Sequence, residues 1–288
     1  MDLVEPITEL YRRMSCELPG DVAGALEEAR RREKKDSPAR DALETIIENV
    51  HLAREKTRPL CQDTGTPVFY VTRAKAMNEG EIREAILAAT REATRRGYLR
   101  PNAVDSLSGE NSGDNTGVDF PIIHVEEGTT EPLVIDAMLK GGGSENVGAR
   151  YQLPVASLGA SRDLDGARRC VLDAVQRAQG RGCPPYVVGV AVGGARDATA
   201  ALAKRQLLRA IDDRSPLAAL GELEERLLDE SNRLGIGPAG LGGATTVLAV
   251  KAAAQHRHCA CFFVEVAFGC WAMRRGRLIV DESGAHHA

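Results

Sequence analysis

Residues 58–72 read Arg-Pro-Leu-Cys-Gln-Asp-Thr-Gly-Thr-Pro-Val-Phe-Tyr-Val-Thr, and within them the chain passes from helical to strand texture. Upstream, Leu43, Ile46, Ile47, Val50 and Ala53 recur at helical spacing through 39–56, as Val22, Leu26 and Ala29 do before them. Ser37-Pro38 supplies an N-cap with proline at the first helical position. Thr57-Arg58-Pro59 ends that helix, because proline disfavours helical geometry in the residue before it. Pro67 to Thr72 then reads as a short strand.

Working outward, Glu79 to Arg96 is an amphipathic helix with Ile82, Ile86, Ala89 and Ala93 on one face and Gly97 beyond its end. Residues 101–119 form a long polar loop, and such loops are often functional. Ile122–Val125 and Leu133–Met138 read as strands paired with each other through a Glu127-Gly128 turn. Helices are expected over 163–180, 197–209 and 217–234, and strands over 186–192 and 261–268. Residues 245–254 fit helix or strand, and 271–275 a short helix. Strands and helices mix without a regular βαβ rhythm. The expectation is an α+β fold with helices packed around small, mainly antiparallel sheets, a helical N-terminal lobe, and one domain over residues 1–288.

Composition narrows the classes. Apolar content of 43% and charged content of 27% are those of a soluble globular chain. Net charge is −4 with no basic stripe, which argues against nucleic acid as a partner. No apolar run approaches a membrane span, and the acidic N-terminus lacks a signal-peptide core, so a cytoplasmic protein is expected. Seven cysteines without a secretory signal direct attention to metal or catalytic use rather than disulfides.

Each chemical candidate has a plainer reading beside it. Gly235-Ile-Gly237-Pro-Ala-Gly240 matches a dinucleotide glycine pattern, but a charged helix precedes it where that fingerprint needs a strand. A loop that brings backbone close to a ligand or cofactor suits it better. Lys140-Gly-Gly-Gly-Ser144 is either an anion-binding nest or a flexible turn. Cys61-Gln62-Asp63-Thr64-Gly65 places a soft ligand beside an amide, a carboxylate and a hydroxyl, or is a turn with an incidental thiol. Cys183 precedes two rigid prolines, and Cys270 ends an apolar strand. Cys259 and Cys261 straddle one residue of an expected strand, so their side chains should point to opposite faces. Cys16 and Cys170 lie in helical segments and look structural, and no CxxC pair marks a zinc site.

These pieces occur in one order: RPLCQDTG (58–65), YLRPNAVD (98–105), NSGDNTG (111–117), KGGGSEN (140–146), CPPYVVGVAVGG (183–194), GIGPAGLGG (235–243) and CWAMRR (270–275). Over residues 10–276 the chain resembles the α subunit, or N-terminal catalytic domain, of class I iron–sulfur fumarases and tartrate dehydratases. The resemblance implies a [4Fe–4S] cluster on Cys61, Cys183 and Cys270, with one iron lacking a protein ligand and acting as Lewis acid. It implies carboxylate contacts from Gln62, Arg100 and the backbone at Gly143, with Lys140 as an extra cation. It sets Asp63 beside the proton-transfer machinery and His258, twelve residues before Cys270, against the substrate.

Fused members carry a second domain that supplies the base and further cations. This chain ends soon after Cys270, so the resemblance implies a separate β subunit and an α2β2 heterotetramer with no β-type domain here. The expected reaction is hydration of fumarate to (S)-malate, a step of the citric acid cycle, with L(+)-tartrate dehydration as the alternative on another C4 dicarboxylate. A reading from a different class is a non-catalytic iron–sulfur redox or sensor module, with Cys259 or Cys261 as a fourth thiolate.

Overall fold

The computed structural model describes residues 2–73, 77–128, 132–281 and 283–287. The helical N-terminal segment is present as α1 (Val4–Cys16), α2 (Gly20–Arg32) and α3 (Pro38–Lys56). Then follow β1 (Thr66–Arg73), α4 (Glu79–Arg95), β2 (Ile122–Glu127), β3 (Leu133–Lys140), α5 (Gly142–Asn146) and β4 (Ala149–Gln152). The second half holds α6 (Leu164–Ala178), β5 (Tyr186–Gly193), α7 (Arg196–Gln206) and α8 (Ala218–Arg233). It ends with β6 (Val247–Gln255), β7 (Phe263–Gly269), β8 (Arg275–Asp281) and β9 (Gly284–His287). The class is α+β, as the sequence implies. The chain divides into two compact units, the first being Met1–Pro19, Glu48–Gly142 and Ala272–Ala288, the second Gly20–Ile47 and Gly143–Trp271.

The first unit is built on a sheet of order β2-β1-β3-β8-β9, antiparallel except for β1–β2. Alternate residues Phe69 and Val71, Ile135 and Ala137, and Leu278 and Val280 enter one core with α1 and α4, as the two-residue period of strands requires. Tyr11 fills its centre, edge-on to Phe69 at 5.6 Å, with its hydroxyl 2.7 Å from Thr90 Oγ1. The expected pairing of 122–125 with 133–138 is corrected here. Both strands flank β1, which lies between them, and Gly128 N–H bonds to the Arg73 carbonyl of β1. Sequence nearness favoured a hairpin, but the long apolar face of β1 offers both edges.

The second unit holds a sheet of order β4-β7-β5-β6 with β5–β6 parallel. All of β5 is buried, as its unbroken apolar run implies. Val188, Val190 and Val192 pack with α6 and α8. Gly189 faces the other way, where a side-chain carbon would fall 2.2 Å from the Ala203 carbonyl of α7. Residues 247–255 prove to be a strand, resolving the helix-or-strand ambiguity. Residues 271–274 form a bend leading into β8 rather than a helix, because Arg275 already pairs with Met138.

Candidate functional site

The Cys61–Gly65 turn lies in the first unit and is held from several directions. Asn49 Nδ2 donates to the Leu60 carbonyl at 2.9 Å, and Leu60 N–H to the Ser15 carbonyl at 2.9 Å. Asp63 closes the turn on itself, Oδ1 accepting from Gly65 N–H at 2.9 Å. Its Oδ2 accepts from Gly142 N–H at 2.7 Å. Gly65 is required, since φ is +83° and a side-chain carbon would meet the Leu139 carbonyl carbon at 2.8 Å. Thr64 is fully buried, and its Oγ1 accepts from Arg100 N–H at 3.1 Å and Asn102 Nδ2 at 2.8 Å. Cys61 is half-buried while Gln62, Asp63 and Arg100 are exposed. One surface therefore presents an amide, a fixed carboxylate and a guanidinium, with Arg100 Nη1 also reaching the Gln62 carbonyl at 3.4 Å.

The segment carrying Arg100 is fixed by a residue the sequence reading did not single out. Asn115 is 1% exposed and uses every polar atom of its side chain. Oδ1 accepts from Asn102 N–H at 2.7 Å and Ala103 N–H at 3.2 Å. Nδ2 donates to the Arg100 carbonyl at 2.8 Å and Thr94 Oγ1 at 3.0 Å. Its φ of +60° is one that asparagine tolerates better than most residues. Asn before Thr-Gly in a polar run was the available signal.

In the second unit, Cys183 and Cys270 are brought together. Trp271 N–H donates to the Cys183 carbonyl at 3.1 Å. Cys183 is exposed and Cys270 half-buried. Cys183 holds φ at +61°, an unfavourable geometry for a side chain and one often kept at functional sites. Tyr186 braces the loop, its hydroxyl donating to the Gln179 carbonyl at 2.7 Å and accepting from Gly182 N–H at 3.0 Å. Burial pushes that hydroxyl up to about 12, with the Cys183 and Cys270 thiols adding to the rise. The glycine-rich 235–243 loop is a buttress here: Ala239 N–H donates to the Pro184 carbonyl at 2.8 Å and Gly240 backs onto Gly180. Its far end is clamped by the buried Glu33, whose carboxylate accepts from Ala244 N–H at 2.9 Å and Thr245 N–H at 2.8 Å. The sequence suggests an approach to a ligand or cofactor; the approach seen within the unit is to the backbone of the Cys183 loop.

His258 sits on an exposed turn of the second unit and accepts at Nδ1 from Ala260 N–H, 3.1 Å away. An accepting Nδ1 places the neutral ring's proton on Nε2, which is left to donate. Arg257 lies over the Phe262 ring at 4.7 Å and donates to the His258, Cys259 and Cys261 carbonyls at 3.0–3.3 Å, stapling this turn. Cys259 and Cys261 are on the turn and its exit, not in β7, so the alternation argument for their side chains does not apply. Lys140 is buried at the end of β3, paired in register with Thr66. Gly143 is the second residue of the short helix α5 and is exposed, so the KGGGS run is neither a free turn nor a P-loop.

Cys16 and Cys170 are buried in helices, and burial pushes both thiols up to about 11. No cysteine is in a disulfide. Cys61 belongs to the first unit, whereas Cys183 and Cys270 belong to the second. Among the described residues no group of three or more His, Cys, Asp and Glu side chains is gathered that could hold a metal ion. No helix of the described residues is long and apolar enough to cross a membrane.

Fold and site together define an α+β protein of two mixed sheets that presents accessible thiols and fixed polar groups from its loops. The chain belongs to the fumarate hydratase (Fumerase) family, which matches it over residues 4–279. It is 45% identical over 282 residues to a putative class I fumarate hydratase of Geobacillus stearothermophilus, covering 97% of this chain and 55% of that protein. The chain thus spans about half the length of that relative. It is 39% identical to a putative L(+)-tartrate dehydratase subunit alpha of Methanocaldococcus jannaschii, over 96% of both chains. The L(+)-tartrate dehydratase subunit alpha of Escherichia coli K12 is 32% identical over 96% of this chain and 90% of its own.

Proposed function

We propose that the chain is the α subunit of a hydro-lyase that reversibly hydrates fumarate to (S)-malate, with a [4Fe–4S] cluster on Cys61, Cys183 and Cys270. The observation that carries the reading is the Cys61–Gly65 turn, where a half-buried thiol stands beside Gln62, an immobilised Asp63 and the Arg100 guanidinium. Family membership supplies the class of chemistry, and the relatives named as alpha subunits support a partner subunit; the assembly we propose is a cytoplasmic α2β2 heterotetramer.

The donor set fits a cluster. Cys183 and Cys270 are accessible and share a hydrogen-bonded bend, whereas Cys16 and Cys170 are sealed in cores and held as thiols. When bound, a cluster with three thiolate ligands supplies an iron that polarises a substrate oxygen as a Lewis acid. The remaining work falls to protein groups. Fumarate carries a carboxylate at each end of its double bond, and water addition builds negative charge on one of them. Arg100, Gln62, Lys140 and the backbone N–H groups at Gly143 hold these carboxylates and stabilise that charge. Asp63, with one backbone donor on each oxygen, keeps lone pairs on its exposed side to orient a hydroxyl base supplied by the partner. His258 donates from Nε2 to the substrate.

L(+)-tartrate dehydration is the second reading, favoured by the near full-length match to the Methanocaldococcus subunit. The test is anaerobic reconstitution with the β chain, iron quantitation, EPR with and without malate, and kinetics on malate and both tartrate enantiomers. The expected result is malate turnover and an EPR signal that changes on adding malate. Turnover of L(+)-tartrate alone would establish the second reading. A stable cluster that turns over none of these acids, and is lost on Cys259→Ser or Cys261→Ser, would overturn both in favour of a redox or sensor module.

A further inference from the structure

Arg274 is the largest of the fully buried side chains, at 1% exposed. No carboxylate among the described residues pairs with it. Its Nη1 donates to the Asp63 carbonyl at 2.6 Å, and its Nε is buried without a hydrogen-bond partner. Its own carbonyl accepts from Leu139 N–H at 3.0 Å, which roots the residue in the sheet of the first unit. A buried guanidinium is costly unless its charge is used, and an apolar side chain would fill the same space without that cost. Here the charge strengthens a hydrogen bond to the peptide that follows Asp63.

We infer that Arg274 is the positioning residue of the Cys61–Gly65 turn. By fixing the Asp63 carbonyl it sets the plane of the peptide between Asp63 and Thr64. That plane, with the buried Thr64 and the bonds from Gly65 and Gly142, decides where the Asp63 carboxylate and the Cys61 thiol point. It also places a fixed positive charge behind a turn that meets anions. The placement of the turn stands on geometry alone, and its catalytic consequence rests on the hydro-lyase reading.

The test compares Arg274→Lys, Arg274→Gln and Arg274→Met with Arg277→Met as control. Arg277 lies three residues further on, in β8, but pairs with Asp136 at 2.6 and 3.0 Å and does not touch the turn. First, alkylation of Cys61 is followed by mass spectrometry in the cluster-free full chain, with the buried Cys16 as an internal report on global unfolding. Loss of a charge-assisted bond should raise the Cys61 rate on the order of tenfold in the Gln and Met variants, with Lys near wild type and the control unchanged. Second, in the reconstituted complex, Gln and Met should lower kcat about ten- to a hundredfold with KM moving far less, because a displaced Asp63 impairs the reaction more than binding. Arg274→Lys should recover part of kcat.

An unchanged Cys61 rate in Gln and Met would overturn the inference whatever happens to kcat. Should Met label Cys16 as well, marking a failed fold, the polar Gln variant carries the same comparison. If the Cys61 rates move as expected while the wild-type complex hydrates nothing, the hydro-lyase reading falls and the positioning role stands.

Discussion

Replacing Asn115 by alanine should loosen the Arg100 segment more than any surface change in the same loop. Four hydrogen bonds of 2.7–3.2 Å end on this side chain. At about 1 kcal/mol net for each, their loss is worth about 4 kcal/mol. Alanine at a φ of +60° adds about 1 kcal/mol that asparagine largely avoids. The sum, about 5 kcal/mol, corresponds to a fall in melting temperature on the order of 10–20 °C for a unit of this size. Asn115→Gly should recover the backbone share, about 1 kcal/mol, and so melt slightly above the alanine variant. The control is Asn111→Ala in the same loop, an exposed residue whose side chain makes two local bonds, to Pro101 and Gly113. Circular dichroism melts of the three variants, paired with KM for the dicarboxylate, read stability and Arg100 placement separately. KM should rise about tenfold in Asn115→Ala. If Asn115→Ala melted within about 2 °C of Asn111→Ala, the argument that this buried amide holds the segment would be wrong.

Three further outcomes follow from groups described above. His258→Asn should preserve the turn, since asparagine can accept from Ala260 N–H in the same sense, yet remove the Nε2 donor; kcat/KM should fall about a hundredfold with the melting temperature unchanged, and an unaltered kcat/KM would remove His258 from the site. Cys16 and Cys170, held at about 11 by burial, should resist iodoacetamide at pH 8, where roughly a thousandth of such thiols are ionised, while exposed Cys183 and Cys259 label readily and cluster binding protects Cys183 alone of that pair. A raised thiol value favours the fold fully below the ordinary value of 9.0 and loses that contribution as pH climbs through about 11, so the melting temperature should decline across that window and Cys16→Ala should flatten the decline.

The elements were legible where one physical rule governed the residues. The faces of α2, α3 and α4, the strand after Thr66 and the buried run of β5 follow directly from periodicity and burial. What failed was pairing and the short connections. Nothing local in 122–138 shows that β1 will insert between the two strands, because that choice belongs to the whole sheet. Residues 271–274 have helix-forming side chains, but the register of β8 with β3 claims the backbone first. The thiol-bearing motifs were visible as unusual residue combinations. The side chains that hold the loops were far less legible: Asn115, Arg274 and Glu33 act on backbone atoms distant in sequence, and Arg257 and Tyr186 act nearby but, as single polar residues, carry no spacing signal.

The first unit is interrupted, and this bears on how the chain is made. Its central strand β3 ends at Lys140, and the strand that covers its open edge, β8, ends at Asp281. All 141 residues between those points must leave the ribosome first, which takes roughly 7–28 s at 5–20 residues per second. The second unit's sheet is complete by Gly269 and can close on the nascent chain during that interval. Until β8 arrives, β3 offers a row of unpaired amides and carbonyls beside a half-built core, a template for association between neighbouring nascent chains. Slower elongation prolongs that exposure, so the yield of native protein in a producing cell is limited by how well this one edge is shielded before the last strands emerge.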